Sequence, residues 1–400
     1  MHTDRLKFSI VVPFKGRERT LRVVLAALAE QTMDQAEFEV VVGAMEYSTE
    51  YVELCREFTD RLNLVSVMTT GEWNVAHARN LAIRHASGEV VMTLDADIAL
   101  PPDSLRNTYD RYFAHGQNLC VIGQVVGYEA AMNEHSKSAE VLPWDHYRAV
   151  LADLAAEGGP WDYRWTDRYT SALMRFPWAF VATGLTAIPR RLVEQHDLYF
   201  DENFRGWGPE DQEWGFRISR AHIPIVHAAP VFGLHLPHPR DLAVNEVAAW
   251  TNNRYYLAKW PRLDLELALA FGWIGADECY AEVERELAAC RHGDRRPSVL
   301  RGPVGGRDTV VVGALVDPHT QAAEPEVAAL FDRGSRPEIL PLAGFALPYP
   351  DRSVDEVRVL AAVTGLSPRY REAIRKEAAR VTAHTSDVDV PAEPALQHAG

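Results

Sequence analysis

Two short acidic segments carry the chemistry of this 400-residue chain. The first is Asp95-Ala96-Asp97, directly after the apolar run VVMTL at 90–94. Two carboxylates so spaced at the end of a buried strand can reach one divalent cation, or divide a cation and a ribose between them. Oxygen ligands suit Mg²⁺ or Mn²⁺, which keep part of their shell for substrate phosphates. The competing use is a helix N-cap, for which Asp103 or Ser104 is better placed. The second segment is RGWGPEDQEWGFR at 205–217, with three acids between two tryptophans on a turn made with Gly and Pro. Glu213 and Arg217 have the spacing of an intrahelical ion pair, and Trp214 reads as core. Glu210 and Asp211 are then the acids crowded beside tight backbone and an indole, a setting for holding a ligand. The plainer use is that both cap a helix beginning near Pro209.

Positive charge comes from PFKGRER at 13–19, where Lys15 and Arg17 flank a glycine. Gly16 permits close backbone approach, and Arg is suited to bidentate phosphate contact. A solvated surface loop would look the same. No Gly-x-Gly-x-x-Gly and no Walker sequence is present, so neither a dinucleotide nor a P-loop nucleotide is indicated. His222, His227, His235 and His238 crowd one stretch without a nearby cysteine, and their spacing fits no standard zinc pattern.

The elements that must position these groups alternate. FSIVVPF (8–14), FEVVVGA (38–44), LNLVSVM (62–68) and EVVMTLD (89–95) read as buried strands. RERTLRVVLAALAEQ (17–31), STEYVELCREF (48–58) and VAHARNLAIRHA (75–86) read as helices, the second capped by its Ser. The order predicts an α/β fold: a mostly parallel sheet with helices on both faces. Ligands of such sheets bind beyond the carboxyl ends of the strands. There stand Pro13 to Arg17, Glu46, Asp95 and Asp97.

Composition narrows the partners. A formal charge of −15 argues against a general nucleic-acid binder. Four scattered cysteines without a Cys-x-x-Cys pair suggest reduced thiols and a cytoplasmic protein. The N-terminus enters a strand at once, so no signal peptide is expected. The apolar stretch at 265–276 contains an acid and is too short to span a bilayer, so no transmembrane segment is expected.

Over roughly residues 8–255 the chain resembles the GT-A fold nucleotide-sugar glycosyltransferases. Its N-terminal part looks like the family-two group, and VVPFKGRERTL is also similar to the opening of the β-1,4-galactosyltransferases. GWGPEDQEWGFR resembles the galactosyltransferase carboxyl-terminal motif, shared with chondroitin-type polymerases and polypeptide N-acetylgalactosaminyltransferases. The resemblance implies that Pro13, Lys15 and Arg17 border the nucleotide. Glu46 stands near a base- or ribose-recognising position, although GAMEYST departs from the usual Asp-rich turn. Arg79 and Asn80 match the helix beside the nucleotide. Asp95 would bind the ribose or the metal edge and Asp97 the metal, Mn²⁺ or Mg²⁺. His235 would complete the metal shell, with His238 as runner-up. Trp207, Gly208 and Glu210 would form the acceptor side, and Asp211 would be the catalytic base. HDLYFDENF replaces the more usual Gly-Gly-Phe-Asp-Glu before the motif. The segment from Gly127 to Thr170 reads as an insert over the acceptor site or a packed lid.

The expected domains are a glycosyltransferase domain at 1–260, with a nucleotide half at 1–124 and an acceptor half at 125–260, then a helical extension and linker at 261–307. Residues 308–384 resemble the second half of a class I methyltransferase, with Asp355 after LPYPD, but lack its Gly-rich loop. An inactive module for packing or homo-oligomeric association is inferred, followed by a disordered tail at 385–400. The expected activity is metal-dependent transfer of a sugar from a UDP-sugar to a hydroxyl of a glycan, natural product or peptide, with inversion. A retaining transferase and a nucleotidyltransferase are the alternatives.

Overall fold

β1 (Phe8–Phe14) is buried along its whole length, because both of its faces are covered. Phe8, Ile10, Val12 and Phe14 pack with Leu21, Val24, Leu25 and Leu28 of α1 (Glu18–Ala29) and with Tyr51, Leu54 and Phe58 of α2 (Thr49–Phe58). Val11, on the other face, joins a separate core with Ala76, Ala82 and Ile83 of α3 (Val75–Ile83). The computed structural model describes residues 6–127, 140–239 and 241–388. By internal contacts the chain divides into two units, 1–252 and 253–400.

The first unit holds an eight-stranded sheet in the order β3-β2-β1-β4-β7-β6-β8-β5. β2 (Phe38–Ala44), β3 (Leu64–Met68) and β4 (Val90–Leu94) continue β1 in parallel. Ser48 caps α2 as expected, its Oγ accepting from Tyr51 N at 3.1 Å. Past β4 the sheet departs from a simple parallel order. β7 (Leu185–Pro189) runs antiparallel to both β4 and β6 (Cys120–Val126). The two-residue β5 (Ile98–Ala99) pairs antiparallel with β8 (Ile225–His235), itself parallel to β6. α4 (Ser104–Tyr112) leads from β5 to β6.

β2 and α3 approach unusually closely at Gly43. A Cβ there would lie 2.0 Å from the Ala78 carbonyl oxygen, so only glycine fits. Within the segment read as an insert, α5 (Trp144–Glu157) puts Trp144, Tyr147 and Leu151 into the same core as α1, and α6 (Asp167–Arg175) follows. Its residues 128–139 lie outside the described residues. α7 (Arg190–Gln195) and α8 (Glu210–Arg220) complete the far face. α9 (Leu242–Lys259) follows β8.

The second unit is built on a five-stranded sheet, β11-β9-β10-β12-β13. Residues 291–308, expected as a linker, instead contain β9 (Arg296–Val304), which forms an antiparallel hairpin with β10 (Arg307–Val316). Gly305-Gly306 form the hairpin turn, residues 297–300 of β9 are buried, and Arg301 is half-buried and paired with Asp308 of β10. Asp332 accepts from both turn amides, at 2.6 and 2.9 Å. β11 (Glu338–Leu340) and β12 (Glu356–Leu360) flank this pair. The predicted disordered tail is corrected at its start: Thr385–Val388 form β13, parallel to β12. The rest of that tail, 389–400, lies outside the described residues.

α10 (Leu263–Ala289) is broken at Gly272, whose φ is 73°. Near its start the fully buried Glu266 accepts from Ala343, Gly344 and Phe345 N at 3.0, 2.5 and 2.7 Å. α11 (Pro325–Ala328), α12 (Ala361–Thr364) and α13 (Pro368–Val381) complete this unit.

Candidate active site

The pairing of β5 with β8 brings the ends of the acidic and histidine motifs together. Ile98 stands opposite His235, and Leu236 N donates to Asp97 O at 2.7 Å. Asp97, 3% exposed, faces both histidines: its Oδ2 is 3.0 Å from His238 Nε2, and its Oδ1 is 3.8 Å from His235 Nε2. One ligand atom from each of the three lies within 4.8 Å of the others. Arg17, from the loop after β1, also pairs with Asp97. Burial works against the Asp97 charge. The His238 hydrogen bond and the charges of His235 and Arg17 nevertheless hold its carboxyl well below the usual range. The structure thus gathers His235 and His238 on one carboxylate rather than choosing between them.

A carboxylate from the segment after β4 and two imidazoles at and just beyond the end of β8 form a donor set that fits a divalent cation. The oxygen suits Mn²⁺ or Mg²⁺, and the imidazoles favour the softer Mn²⁺ of the two.

The other candidate residues stand in the loops after β1 and β2, on α3, and at or just before the start of α8. In the loops after β1 and β2, Glu46 accepts from Gly16 N, and Lys15 Nζ donates to Gly71 O at 3.1 Å. Pro13 is buried in β1. On α3, Asn80 is 1% exposed and directed at backbone: its Nδ2 donates to Phe200 O and its Oδ1 accepts from Phe200 N, at 2.8 and 2.7 Å. Arg79 is 3% exposed, with Nη2 3.0 Å from Asp95 Oδ1 and Nη1 3.0 Å from Glu210 Oε1.

Glu210 and Asp211 open α8, in a first turn with no side-chain cap bond from Pro209. Asp211 Oδ1 accepts from Gln212 N at 2.8 Å. Burial and the adjacent Glu210 charge push the Asp211 carboxyl up to about 7, against the pull of Arg79. Farther along the helix the sequence expectations describe what is found. Arg217 Nε reaches both oxygens of Glu213 at 3.1 and 3.0 Å. Trp214 is buried and stacked on Phe200, its Nε1 donating to Leu198 O at 2.7 Å.

The turn before α8 leaves Trp207 40% exposed and Gly208 at a φ of 53°, a left-handed conformation that favours glycine. Its clamp was not foreseen. Asn252 of α9, 3% exposed, donates through Nδ2 to the carbonyls of Arg205, Trp207 and Gly208 at 2.8, 3.3 and 2.5 Å. Asn252→Ala is expected to cost about 1–3 kcal/mol by stripping buried carbonyls of their donor. Asn252→Asp should cost as much, because a carboxylate cannot donate. Urea denaturation of both variants checks this, and stability unchanged in both would show that the turn holds itself.

Residues 9–195 match the family described as Glycosyl transferase family 2. Over 93% of its length the chain is 27% identical to the validoxylamine A glucosyltransferase of Streptomyces hygroscopicus subsp. limoneus, covering 88% of that protein. The chain is a glycosyltransferase. Its first unit has the α/β GT-A fold, with the mixed sheet curling from β4 through β7 toward β5. Over 53% of its length the transferase is also 26% identical to the chondroitin synthase of Escherichia coli, covering 32% of that protein. Among solved structures, a mannosyltransferase from Pyrobaculum calidifontis in complex with GDP-Man and Mn²⁺ aligns at 19% identity and a TM-score of 0.46, covering 71% of the transferase and 76% of that chain. Among the described residues no helix is long and apolar enough to cross a membrane.

Proposed function

We propose that the enzyme transfers a hexosyl group from a nucleotide diphosphate, with UDP-sugar the expected donor, to an acceptor hydroxyl in one inverting displacement. The observation that carries this reading is a set of groups gathered beyond the end of β4, with Asp95 two residues before Asp97 and bonded through Arg79 to Glu210. It comprises the Asp97–histidine cluster, Asp95, Arg79, Glu210 and Asp211. A cation-binding end and a proton-accepting end are what transfer from a diphosphate to a hydroxyl needs.

In this reading Pro13, Lys15, Arg17, Glu46 and Asp95 border the nucleotide, with Arg79 and Asn80 behind them on α3. Asp97, His235 and His238 would hold Mn²⁺ or Mg²⁺, which when bound would offset negative charge on the diphosphate. Trp207 and Gly208 shape the acceptor side, and Glu210 accepts from acceptor hydroxyls. Asp211 takes the proton of the attacking hydroxyl. A carboxyl titrating near 7 is well matched to that task, since a base works best with a pKa close to the working pH. The similarity to a glucosyltransferase over nearly the whole chain supports a hexosyl donor.

The test is a panel of nucleotide sugars incubated with the enzyme and Mn²⁺, with release of the free diphosphate as the signal. One donor is expected to be turned over well above the rest, with activity lost in chelator and restored by Mn²⁺. The anomeric proton of the product reports the stereochemistry by NMR. Silence across the panel, with and without candidate acceptors, would sink the reading.

A further inference from the structure

Arg79 comes from α3, yet its guanidinium joins two other parts of the site. One Nη meets Asp95 at the end of β4 and the other meets Glu210 at the start of α8, both at 3.0 Å. The group lies over the Phe200 ring, its Cζ 5.3 Å from the centroid. Phe200 is in turn bonded through its backbone to Asn80, the next residue of α3. One helix therefore supplies both the cation and the clamp on the ring beneath it. Burial works against the Arg79 charge, but the carboxylates of Asp95, Glu210 and Asp211 hold its pKa above the ordinary arginine value.

We propose that Arg79 is a positioning residue that fixes the acceptor-side acids to donor-side Asp95, setting the distance between the two halves of the reaction. The proposal rests on the reading of Glu210 and Asp211 as acceptor-side groups. A planar guanidinium can direct two donors at two carboxylates from different elements; an ammonium is a point charge without that fork. Without Arg79, Glu210 would be a buried carboxylate lacking its counter-charge, and the start of α8 would settle elsewhere. The nucleotide would keep its own contacts. Arg79 thus acts on turnover through Glu210 and Asp211 rather than through donor affinity.

Arg79→Lys, Arg79→Gln, Glu210→Gln and the double variant Arg79→Gln/Glu210→Gln test this. The readouts are UDP affinity with Mn²⁺ by calorimetry and steady-state kinetics with the donor found in the panel. Both Arg79 variants are expected to lose about 10- to 10³-fold in kcat, the range over which misplacement of a reacting group acts, with the UDP Kd changed less than about threefold. The double variant should be hardly worse than Arg79→Gln alone, because two residues acting as one unit do not add. A UDP Kd weakened tenfold or more with kcat preserved would overturn the proposal and make Arg79 a nucleotide contact. Additive losses in kcat would also overturn it. If Arg79→Gln fails to fold, Arg79→Lys, which retains the charge but not the fork, carries the test through the same split of kcat against Kd. If Asp211→Asn keeps full turnover, the base assignment fails. The Arg79–Glu210 coupling is still read from the cycle.

Discussion

Asp211→Asn should lower turnover by about 10²- to 10⁴-fold, the usual share of general-base catalysis, while making the protein harder to unfold at pH 8. The two effects have one cause. The Asp211 carboxyl is pushed up to about 7 by burial and by Glu210, whereas in the unfolded chain it titrates near the ordinary value of about 4. A carboxyl raised in this way favours the folded state when protonated. Its ionisation therefore begins to cost stability as pH rises above the unfolded value, and the cost is complete above about 7. Asparagine keeps the shape without the charge, so the gain in Tm should be absent at pH 4, grow above it and be full at pH 8.

The wild-type profile of kcat/KM should fall on the acid side near pH 7, and that limb should be missing from the residual activity of Asp211→Asn. UDP affinity should remain near wild type. Glu210→Gln should differ by raising the acceptor KM as well as lowering kcat, since a charge-assisted contact is lost before and during reaction. If both acids only cap α8, each substitution would lower Tm and spare the specific activity of the folded fraction. Kinetics and thermal unfolding on the same preparations separate the cases, and wild-type turnover in Asp211→Asn would remove the base from this segment.

Asp97→Ala should abolish metal-dependent UDP binding. It takes the single carboxylate from a cluster whose other two donors are neutral imidazoles when they ligate. His235→Ala and His238→Ala should each weaken Mn²⁺ binding by at least about 10- to 100-fold, the loss found when even an outer-shell partner of a ligand is removed. Electron paramagnetic resonance of free Mn²⁺ measures this without any sugar donor. The histidines should prove comparable, because both face Asp97 from opposite oxygens. Unchanged Mn²⁺ affinity in Asp97→Ala would dissolve the assignment. A loss in only one histidine variant would leave the other as a structural neighbour.

The buried strands were the most legible part of the chain. β1 and β2 occupy the expected residues because uninterrupted apolar runs between turn residues have few other uses in an α/β protein. The ion pair of Glu213 with Arg217 was equally local, fixed by one turn of helix. What escaped was long-range. Nothing near Asp97 announces that a two-residue strand will pair with the end of β8 and set both His235 and His238 on it. Asn252 looks like any polar residue in a helix, and its work is visible only once the turn at 205–208 lies beside it. The resemblance placed Arg79 near the nucleotide; its bond to Glu210, 131 residues away, had no local signal. The hairpin at 296–316 was obscured because Gly-Gly and exposed arginines are written the same way in a turn and in a linker.

The contact between Gly43 and Ala78 has a consequence for anyone building variant libraries of this enzyme. A methyl group at 43 would strike a backbone oxygen one residue before Arg79, and a backbone oxygen cannot rotate out of the way as a side chain can. Inactive clones should therefore collect at this strand position for reasons of backbone packing alone. No compensating change of side-chain size elsewhere would restore them. Randomised codons at 43 would be spent on dead protein, so the position is best held constant while the loops after β1 and β2 are searched for altered donor preference.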